Sequence, residues 1–350
     1  MTRIPILPGK CRCRMSRSRI IIEDKIPAIK GVFDAAADVE YLPVSEITRE
    51  VLQSADAVIT RTRPYLGENL LAGSKLRIIA TATIGTDHID AEYCRRNNIK
   101  VVNAPGCNAP AVAQWVMTSI FSMTDGKKPE SLTVGIVGVG HVGKIVSLWS
   151  RQAGFTVLEN DPPREQAEGS GKFADINEIA AKADIITFHT PLTKTGKFPT
   201  FHLADEKFFK SLKRRPIIIN AARGAVIETP ALIQALKEGR VSAAAIDCWE
   251  GEPEISYELL KMAEIATPHI AGYSREGKLR ATEAVIKAVA DELNLEVQVP
   301  FSVPVFDPER AIPRELLQES YNPLTDTQNL KNNPGDFEKL RDNYILRSEP

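Results

Sequence analysis

Three side chains far apart in the chain have the types needed for proton and hydride chemistry on a 2-hydroxy acid: Arg223, Glu252 and His269. Each stands just beyond a predicted strand end, Arg223 after Pro216–Ala222, Glu252 after Ala244–Gly251 and His269 after Ile265–Pro268. Arginine stays charged and can fork onto a carboxylate or polarise the adjacent carbonyl. Histidine titrates near neutral pH and can take a hydroxyl proton as hydride leaves. A carboxylate partner orients the imidazole, and an opposite charge within ~4–6 Å moves a pKa by about 1–3 units. Spacing alone leaves other readings open. Arg223-Gly224 is also the pattern of a turn with a surface arginine, and a histidine after Pro268 is also the pattern of a buried structural histidine. The acids Glu250, Glu252 and Glu254 are too dense for spacing to select one. His88, His189 and His202 read as structural.

A second constellation binds rather than reacts. Gly138, Gly140 and Gly143 have G-x-G-x-x-G spacing, after the apolar run Leu132–Val137 and before a helical pattern from Lys144 to Ala153. Gly138 permits the tight turn, Gly140 lets the backbone approach a pyrophosphate, and Gly143 lets helix and strand pack closely. The free N–H groups of the helix start, in a stretch that includes His141 and Val142, then face the anion. Asp161 follows the run Phe155–Leu158 at close to the ~20-residue spacing at which an acid reaches the adenosine ribose. A carboxylate there accepts from the 2′- and 3′-hydroxyls and repels a 2′-phosphate, so the expected cofactor is NAD, with Arg164 the one nearby feature that suits NADP. Arg61 and Arg63 are two fixed cations of the kind that suit a phosphorylated substrate.

The elements that must position these residues alternate. Arg19–Ile22, Asp38–Val44, Ala57–Thr60, Arg77–Thr81 and Lys100–Asn103 read as strands, with Ser45–Ser54 and Glu68–Ala72 as helices between them. A helix follows Asn108, read as its cap, and is expected to cross to a second domain. There the expected strands are Leu132–Val137, Phe155–Leu158, Asp184–Phe188, Pro216–Asn220, Ala243–Asp247 and Glu264–Thr267, with a helix at Thr229–Glu238 closed by Gly239. A long helix over Ser274–Leu293 can return the chain to the first domain. Such alternation predicts parallel sheets, whose ligands sit at the carboxyl ends of the strands. The expected division is a flexible extension over 1–19, a substrate domain over 20–110 and 270–294, a cofactor domain over 111–269, and a C-terminal segment over 295–350 too poor in apolar residues to build a large core.

Composition bounds the rest. The 350 residues are 43% hydrophobic with a formal net charge of -1, so no basic field points to nucleic acid. No apolar run approaches the roughly 18 residues of a membrane span. Cys11, Cys13, Cys94, Cys107 and Cys248 are odd in number and scattered, which argues for a reducing cytoplasm and against disulfides. Cys11-x-Cys13 lacks a second ligand pair, so no metal is expected. Residues 1–22 contain no acid but carry Arg3, Arg12, Arg14, Arg17 and Arg19, the look of a transit peptide or of a disordered tail upstream of Met15 as initiator.

Gly138-Val-Gly140-His-Val-Gly143, Asn220-Ala-Ala-Arg223-Gly224, Asp247-Cys-Trp-Glu-Gly-Glu252-Pro253 and Pro268-His269-Ile-Ala-Gly272 resemble the four signature segments of the D-2-hydroxyacid dehydrogenase family, in its order, within a likeness over residues 20–294. The resemblance implies two Rossmann/flavodoxin-like α/β domains, the first discontinuous. It also implies that Arg223 binds the substrate carboxylate, Glu252 pairs with His269, His269 is the acid/base, Asp247 holds the nicotinamide carboxamide and Thr190 lies along the cofactor. Thr81–His88, Ala104–Asn108, Phe188–Leu192, His269–Tyr273 and Pro334–Tyr344 resemble a branch of that family acting on a phosphorylated 2-hydroxy acid. That narrower likeness implies substrate contacts from Thr62, Thr83 and Tyr273, a cofactor contact near Gly272, and a homodimer formed through the C-terminal segment. Gln114 stands where a Glu is common, Cys248 where a Val is usual, and the C-terminal region is shortened. Enzymes for 3-phosphoglycerate or glycerate, and dinucleotide-sensing corepressors that keep the same polar triad, are the alternatives.

Overall fold

The computed structural model describes residues 17–169 and 171–350. Most of the expected extension over 1–19, with Cys11, Cys13 and Met15, therefore lies outside the described residues, and Arg19 already belongs to the first strand. The described residues divide into two compact units, 17–104 with 282–302 and 105–281 with 303–350.

In the first unit, β1 (Arg19–Glu23), β2 (Asp38–Leu42), β3 (Ala57–Thr60), β4 (Ile78–Thr81) and β5 (Lys100–Val102) form a parallel sheet in the order β2-β1-β3-β4-β5. The β-branched runs Ile20–Ile22 and Val58–Ile59 are fully buried, which is why they pair as central strands. Short helices α1 (Arg49–Leu52), α2 (Glu68–Leu71) and α3 (Ala91–Arg96) join them. Leu52, Leu71, Tyr93 and Cys94 pack with Ile21, Val58 and Ile79 in one core.

The second unit opens with α4 (Ala109–Met123), buried from Ala109 to Phe121. It was expected to bridge two domains, but it lies wholly inside this unit. Its strands are β6 (Thr133–Val137), β7 (Thr156–Asn160), β8 (Ile185–Phe188), β9 (Ile217–Asn220), β10 (Ala243–Ile246) and β11 (Ile265–Ala266). They form one parallel sheet in the order β11-β10-β9-β8-β6-β7. The chain reverses its progress across the sheet between β6 and β8, the place where such sheets bind ligand. Side chains alternate between two cores: Ile186, Phe188 and Ile218 face one, Ile185, Ile217 and Ile219 the other. The connecting helices are α5 (His141–Gln152), α6 (Pro162–Glu168), α7 (Ile176–Lys182), α8 (Glu206–Ser211), α9 (Thr229–Lys237) and α10 (Tyr257–Met262).

The long helix α11 (Arg275–Leu293) passes from one unit to the other at residue 282, so the first unit is discontinuous. The expected boundaries were 110, 269 and 294, and the compact units divide at 104, 281 and 302. The first turns of α11 sit with the second unit, where Arg280 Nε donates to Cys107 O at 2.8 Å and Gly277 lies against Asn108. The C-terminal segment folds as α12 (Arg314–Ser320), α13 (Pro323–Asn332) and α14 (Phe337–Asp342) within the second unit. Its few apolar residues suffice because Leu317, Tyr321, Leu330 and Phe337 insert into existing cores instead of forming a new one. Among the described residues, no helix is long and apolar enough to cross a membrane.

Candidate active site

Arg223, Glu252 and His269 follow β9, β10 and β11, three neighbouring parallel strands, so all three leave the same carboxyl edge of the sheet. Asn220 ties the first two loops together: its Nδ2 donates to Arg223 O (3.0 Å) and Cys248 O (3.3 Å), and its Oδ1 accepts from Ala222 N (3.1 Å). Gly224 completes the join, since a Cβ there would lie 1.9 Å from the Trp249 carbonyl. The half-buried Arg223 extends beside it, with Nη1 donating to Ala222 O at 2.8 Å.

Among the three acids of that loop the structure selects Glu252. Its Oε1 accepts from Trp249 N at 2.6 Å and its Oε2 lies 2.7 Å from His269 Nδ1. A carboxylate only accepts, so Nδ1 carries the proton and Nε2 is left as the basic nitrogen. Glu250 instead faces His202 Nε2 (2.6 Å) and Thr229 N (3.0 Å). His269 has φ 56°, a left-handed conformation that non-glycine residues adopt only when the surroundings hold them there. Asp247 does the holding. Its Oδ1 accepts from Thr267 Oγ1 (2.6 Å) and Ile270 N (2.8 Å), its Oδ2 from Ala271 N (3.0 Å), and its carbonyl from His269 N (2.9 Å). The loop's far side is held by Arg347, which donates to the carbonyls of Ile270 (3.1 Å), Tyr273 (3.3 Å) and Ala271, and to Gln114 Oε1 (2.9 Å). Gln114, one of the noted departures, is thus the acceptor for a buried guanidinium.

Burial alone would lower the His269 pKa, but its neighbours Cys248 and Glu252 hold the imidazole well above its ordinary value. Since burial keeps Cys248 a neutral thiol, the Glu252 carboxylate supplies the charge. Burial pushes Glu252 up, and the facing His269 more than offsets this, leaving the carboxyl below its usual range. Asp247 is raised by burial in spite of His269 and its hydrogen bonds. Cys248, Glu252 and His269 each offer a donor atom within 4.8 Å of the others, and His269 Nδ1 and Glu252 Oε2 are bonded to each other. Burial raises the Cys248 thiol.

The glycine turn lies at the β6/β8 reversal. Gly138 has φ +92°, and a Cβ at Gly143 would sit 2.0 Å from Gly138 O, so both are required by the backbone. Around Gly140 there is open space, the cradle a pyrophosphate needs. His141 and Val142 begin α5; His141 is exposed, with its ring over Gly106, and Val142 is half-buried. The Thr190 hydroxyl, whose methyl lies against Gly138, is buried with no hydrogen-bond partner. Open space at Gly140 and an orphaned hydroxyl next to the turn are what the cofactor would fill. Asp161 Oδ2 accepts from Val139 N (2.8 Å) and Oδ1 from Arg164 N (3.1 Å), so this acid fixes the turn and caps α6. Asn108 precedes α4 but makes no capping bond; it packs against Gly272, whose Cβ would lie 2.0 Å from its Nδ2.

In the first unit, Arg61, Thr62 and Arg63 follow β3, and Thr83 follows β4. Thr62 and Arg63 are exposed. Arg61 is engaged with the buried Glu23 at the end of β1, through Nε (2.6 Å) and its backbone N (2.7 Å). Sequence reading missed Glu23; an acid closing the apolar run Ile20–Ile22 at a strand's carboxyl end was the available signal. The Thr83 hydroxyl lies 2.9 Å from Thr81 Oγ1 and donates to Gly85 O (3.0 Å). In the second unit, Tyr273 follows the His269 loop and accepts from Arg341 Nε at 3.1 Å.

Residues 107–271 match the family model described as D-isomer specific 2-hydroxyacid dehydrogenase, NAD binding domain. The chain is 48% identical to a Bacteroides thetaiotaomicron erythronate-4-phosphate dehydrogenase, covering 95% of this chain and 97% of that one. It is 40% identical to the Escherichia coli protein of the same name, covering 95% and 92%. Among solved structures, an Aquifex aeolicus D-lactate dehydrogenase with NAD and lactic acid shares the fold at 24% identity, TM-score 0.65, over 79% of this chain and 96% of that one. A glyoxylate reductase does so at 21% identity, TM-score 0.69, over 82% and 99%.

Proposed function

The chain belongs to the D-isomer specific 2-hydroxyacid dehydrogenases, and from that premise we propose that it oxidises 4-phospho-D-erythronate to 2-oxo-3-hydroxy-4-phosphobutanoate with NAD, a step toward pyridoxal 5′-phosphate. The observation that carries the chemistry is the 2.7 Å bond between His269 Nδ1 and Glu252, beside the loop of Arg223. His269 accepts the substrate's hydroxyl proton on Nε2. Glu252 keeps the ring in the tautomer that leaves Nε2 basic and offsets the imidazolium charge that forms. Arg223 forks onto the carboxylate and sets the hydroxyl-bearing carbon in place. When bound, NAD supplies the hydride acceptor. Gly138, Gly140, His141, Val142 and Gly143 would hold its pyrophosphate, Asp161 its ribose, and Thr190 and Gly272 its remaining length. Asp247 would hold the nicotinamide carboxamide, and the same carboxylate also accepts from Thr267 and from the Ile270 and Ala271 amides of the His269 loop. Thr62, Thr83 and Tyr273 contact the substrate in this reading, and the Arg61–Arg63 loop takes its phosphate.

A homodimer through the C-terminal segment fits its exposed apolar side chains, Val305 at 95% and Ile345 at 89% exposure, with Leu316 and Leu324 nearby in sequence. A cytoplasmic location fits the free, buried Cys94, Cys107 and Cys248.

The deciding experiment is a steady-state comparison of NADH formation with 4-phospho-D-erythronate, 3-phosphoglycerate and glycerate. The phosphorylated four-carbon acid should give the highest kcat/KM. A higher value for another acid reassigns the substrate, and NAD binding without turnover of any acid places the chain with the sensing proteins.

A further inference from the structure

The C-terminal helix α14 reaches the residue next to the reacting loop. Arg341 Nε donates to the phenolic oxygen of Tyr273 at 3.1 Å, and Arg341 lies within electrostatic reach of Glu252. Its side chain is only 16% exposed, and Glu338 lies 3.6 Å from its Nη1. On the ring face, Lys278 Nζ sits 3.9 Å from the Tyr273 centroid, and Tyr344 packs edge-on at 6.1 Å. Tyr273 is thus held by two cations and a second ring, all from α11 and the tail.

Hydrogen-bond direction gives this arrangement its meaning. A guanidinium has donors and no acceptor. The Tyr273 oxygen must therefore accept from Arg341, which leaves its own proton to be donated elsewhere. We propose that Arg341 is a positioning residue of the active site, fixing Tyr273 as a hydrogen-bond donor to an anionic oxygen, carboxylate or phosphate, of the bound substrate. The inference rests on the assignment of Tyr273 to the substrate. Burial pushes the phenol's pKa up, but Lys278, Arg341 and His269 together pull it below its ordinary value, which strengthens it as a donor to an anion.

Two readouts test this, one independent of substrate. In the full-length enzyme without substrate, ultraviolet difference titration, with Tyr273→Phe subtracted to isolate one phenol, should show Tyr273 ionising at higher pH in Arg341→Gln. Arg341→Lys, which keeps the charge, should lie between Arg341→Gln and wild type and guards against a folding defect in the first variant. In turnover, Arg341→Gln should raise KM for 4-phospho-D-erythronate roughly tenfold, the scale of one charge-assisted hydrogen bond, with kcat within about twofold. In a Tyr273→Phe background the same substitution should have little further effect on KM. Using D-erythronate in parallel identifies the acceptor: the KM effect persists without the phosphate if the carboxylate is bound and vanishes if the phosphate is. An unmoved phenol titration in both Arg341 variants overturns the clamp. A KM effect undiminished in the Tyr273→Phe background overturns the route through Tyr273. Absence of turnover in wild type defeats the substrate reading and leaves the titration to judge the clamp alone.

Discussion

Replacing Glu252 by Gln removes one charge and little volume from a bond of 2.7 Å to His269. An opposite charge at such range moves a titrating group by about 1–3 units, or about 1.4–4 kcal/mol of preference for the charged ring. The two side chains are only 29% and 19% exposed, so solvent screens the pair weakly. The direction follows from the role. In the oxidative direction His269 must be neutral to receive the hydroxyl proton, so log kcat/KM rises with pH until the imidazole has titrated. Wild type, with its raised imidazole, should reach its plateau on the alkaline side of neutrality. In Glu252→Gln the imidazole loses its anion, and the acid limb should move to lower pH by about 1–3 units. The plateau should also fall, by roughly 10–10²-fold, because an amide can either accept from or donate to Nδ1 and no longer enforces one tautomer. The assay is NADH formation at sub-saturating substrate across the pH range, since kcat/KM reports the free enzyme's groups. Glu250→Gln is the control: its carboxylate serves His202 and Thr229 N, and the limb should stay in place. An acid limb that does not move in Glu252→Gln, or that moves equally in Glu250→Gln, would refute the pairing as the source of the base's pKa.

Two other pairs of substitutions separate structural from ligand-binding roles. Arg61→Ala strands the buried Glu23 carboxylate, so urea unfolding should show a loss of about 3 kcal/mol or somewhat more, whereas Arg63→Ala, at an exposed position, should change stability little. If neither variant raises KM for the phosphorylated acid, the phosphate does not bind to this loop. Gly143→Ala drives a methyl to 2.0 Å from Gly138 O and should lower stability by about 1–3 kcal/mol as well as weakening NAD binding, while Gly140→Ala meets open space and should weaken NAD with stability nearly unchanged. Calorimetric NAD titration and thermal melts on both variants check this, and equal destabilisation by the two would contradict the division of labour within the turn.

The strands were legible because parallel sheets need buried β-branched runs, and Ile20–Ile22 and Ile217–Ile219 can be little else. The triad was legible in kind, since three strand ends pointed to one edge, but not in identity. Glu250 and Glu252 are equivalent in spacing and differ only in which histidine each meets, and that depends on the left-handed turn at His269 and on Asp247 beneath it. The C-terminal segment was least legible, for a physical reason. A hydropathy reading asks whether a segment can bury apolar area, and this one has little to bury. Beyond the four side chains it seats in existing cores, its order comes from hydrogen bonds whose partners lie far away in sequence. Arg347 donates to the carbonyls of Ala111, Ile270, Ala271 and Tyr273, Arg280 pairs with Glu349, and Ser274 bonds to the same Glu349. A buried guanidinium with that many acceptors is costly to leave unsatisfied, so the tail and the His269 loop stabilise each other. The tail is therefore part of what holds the base in position, and Arg347→Ala should damage the loop that carries His269 even though Arg347 lies 78 residues beyond it in the chain.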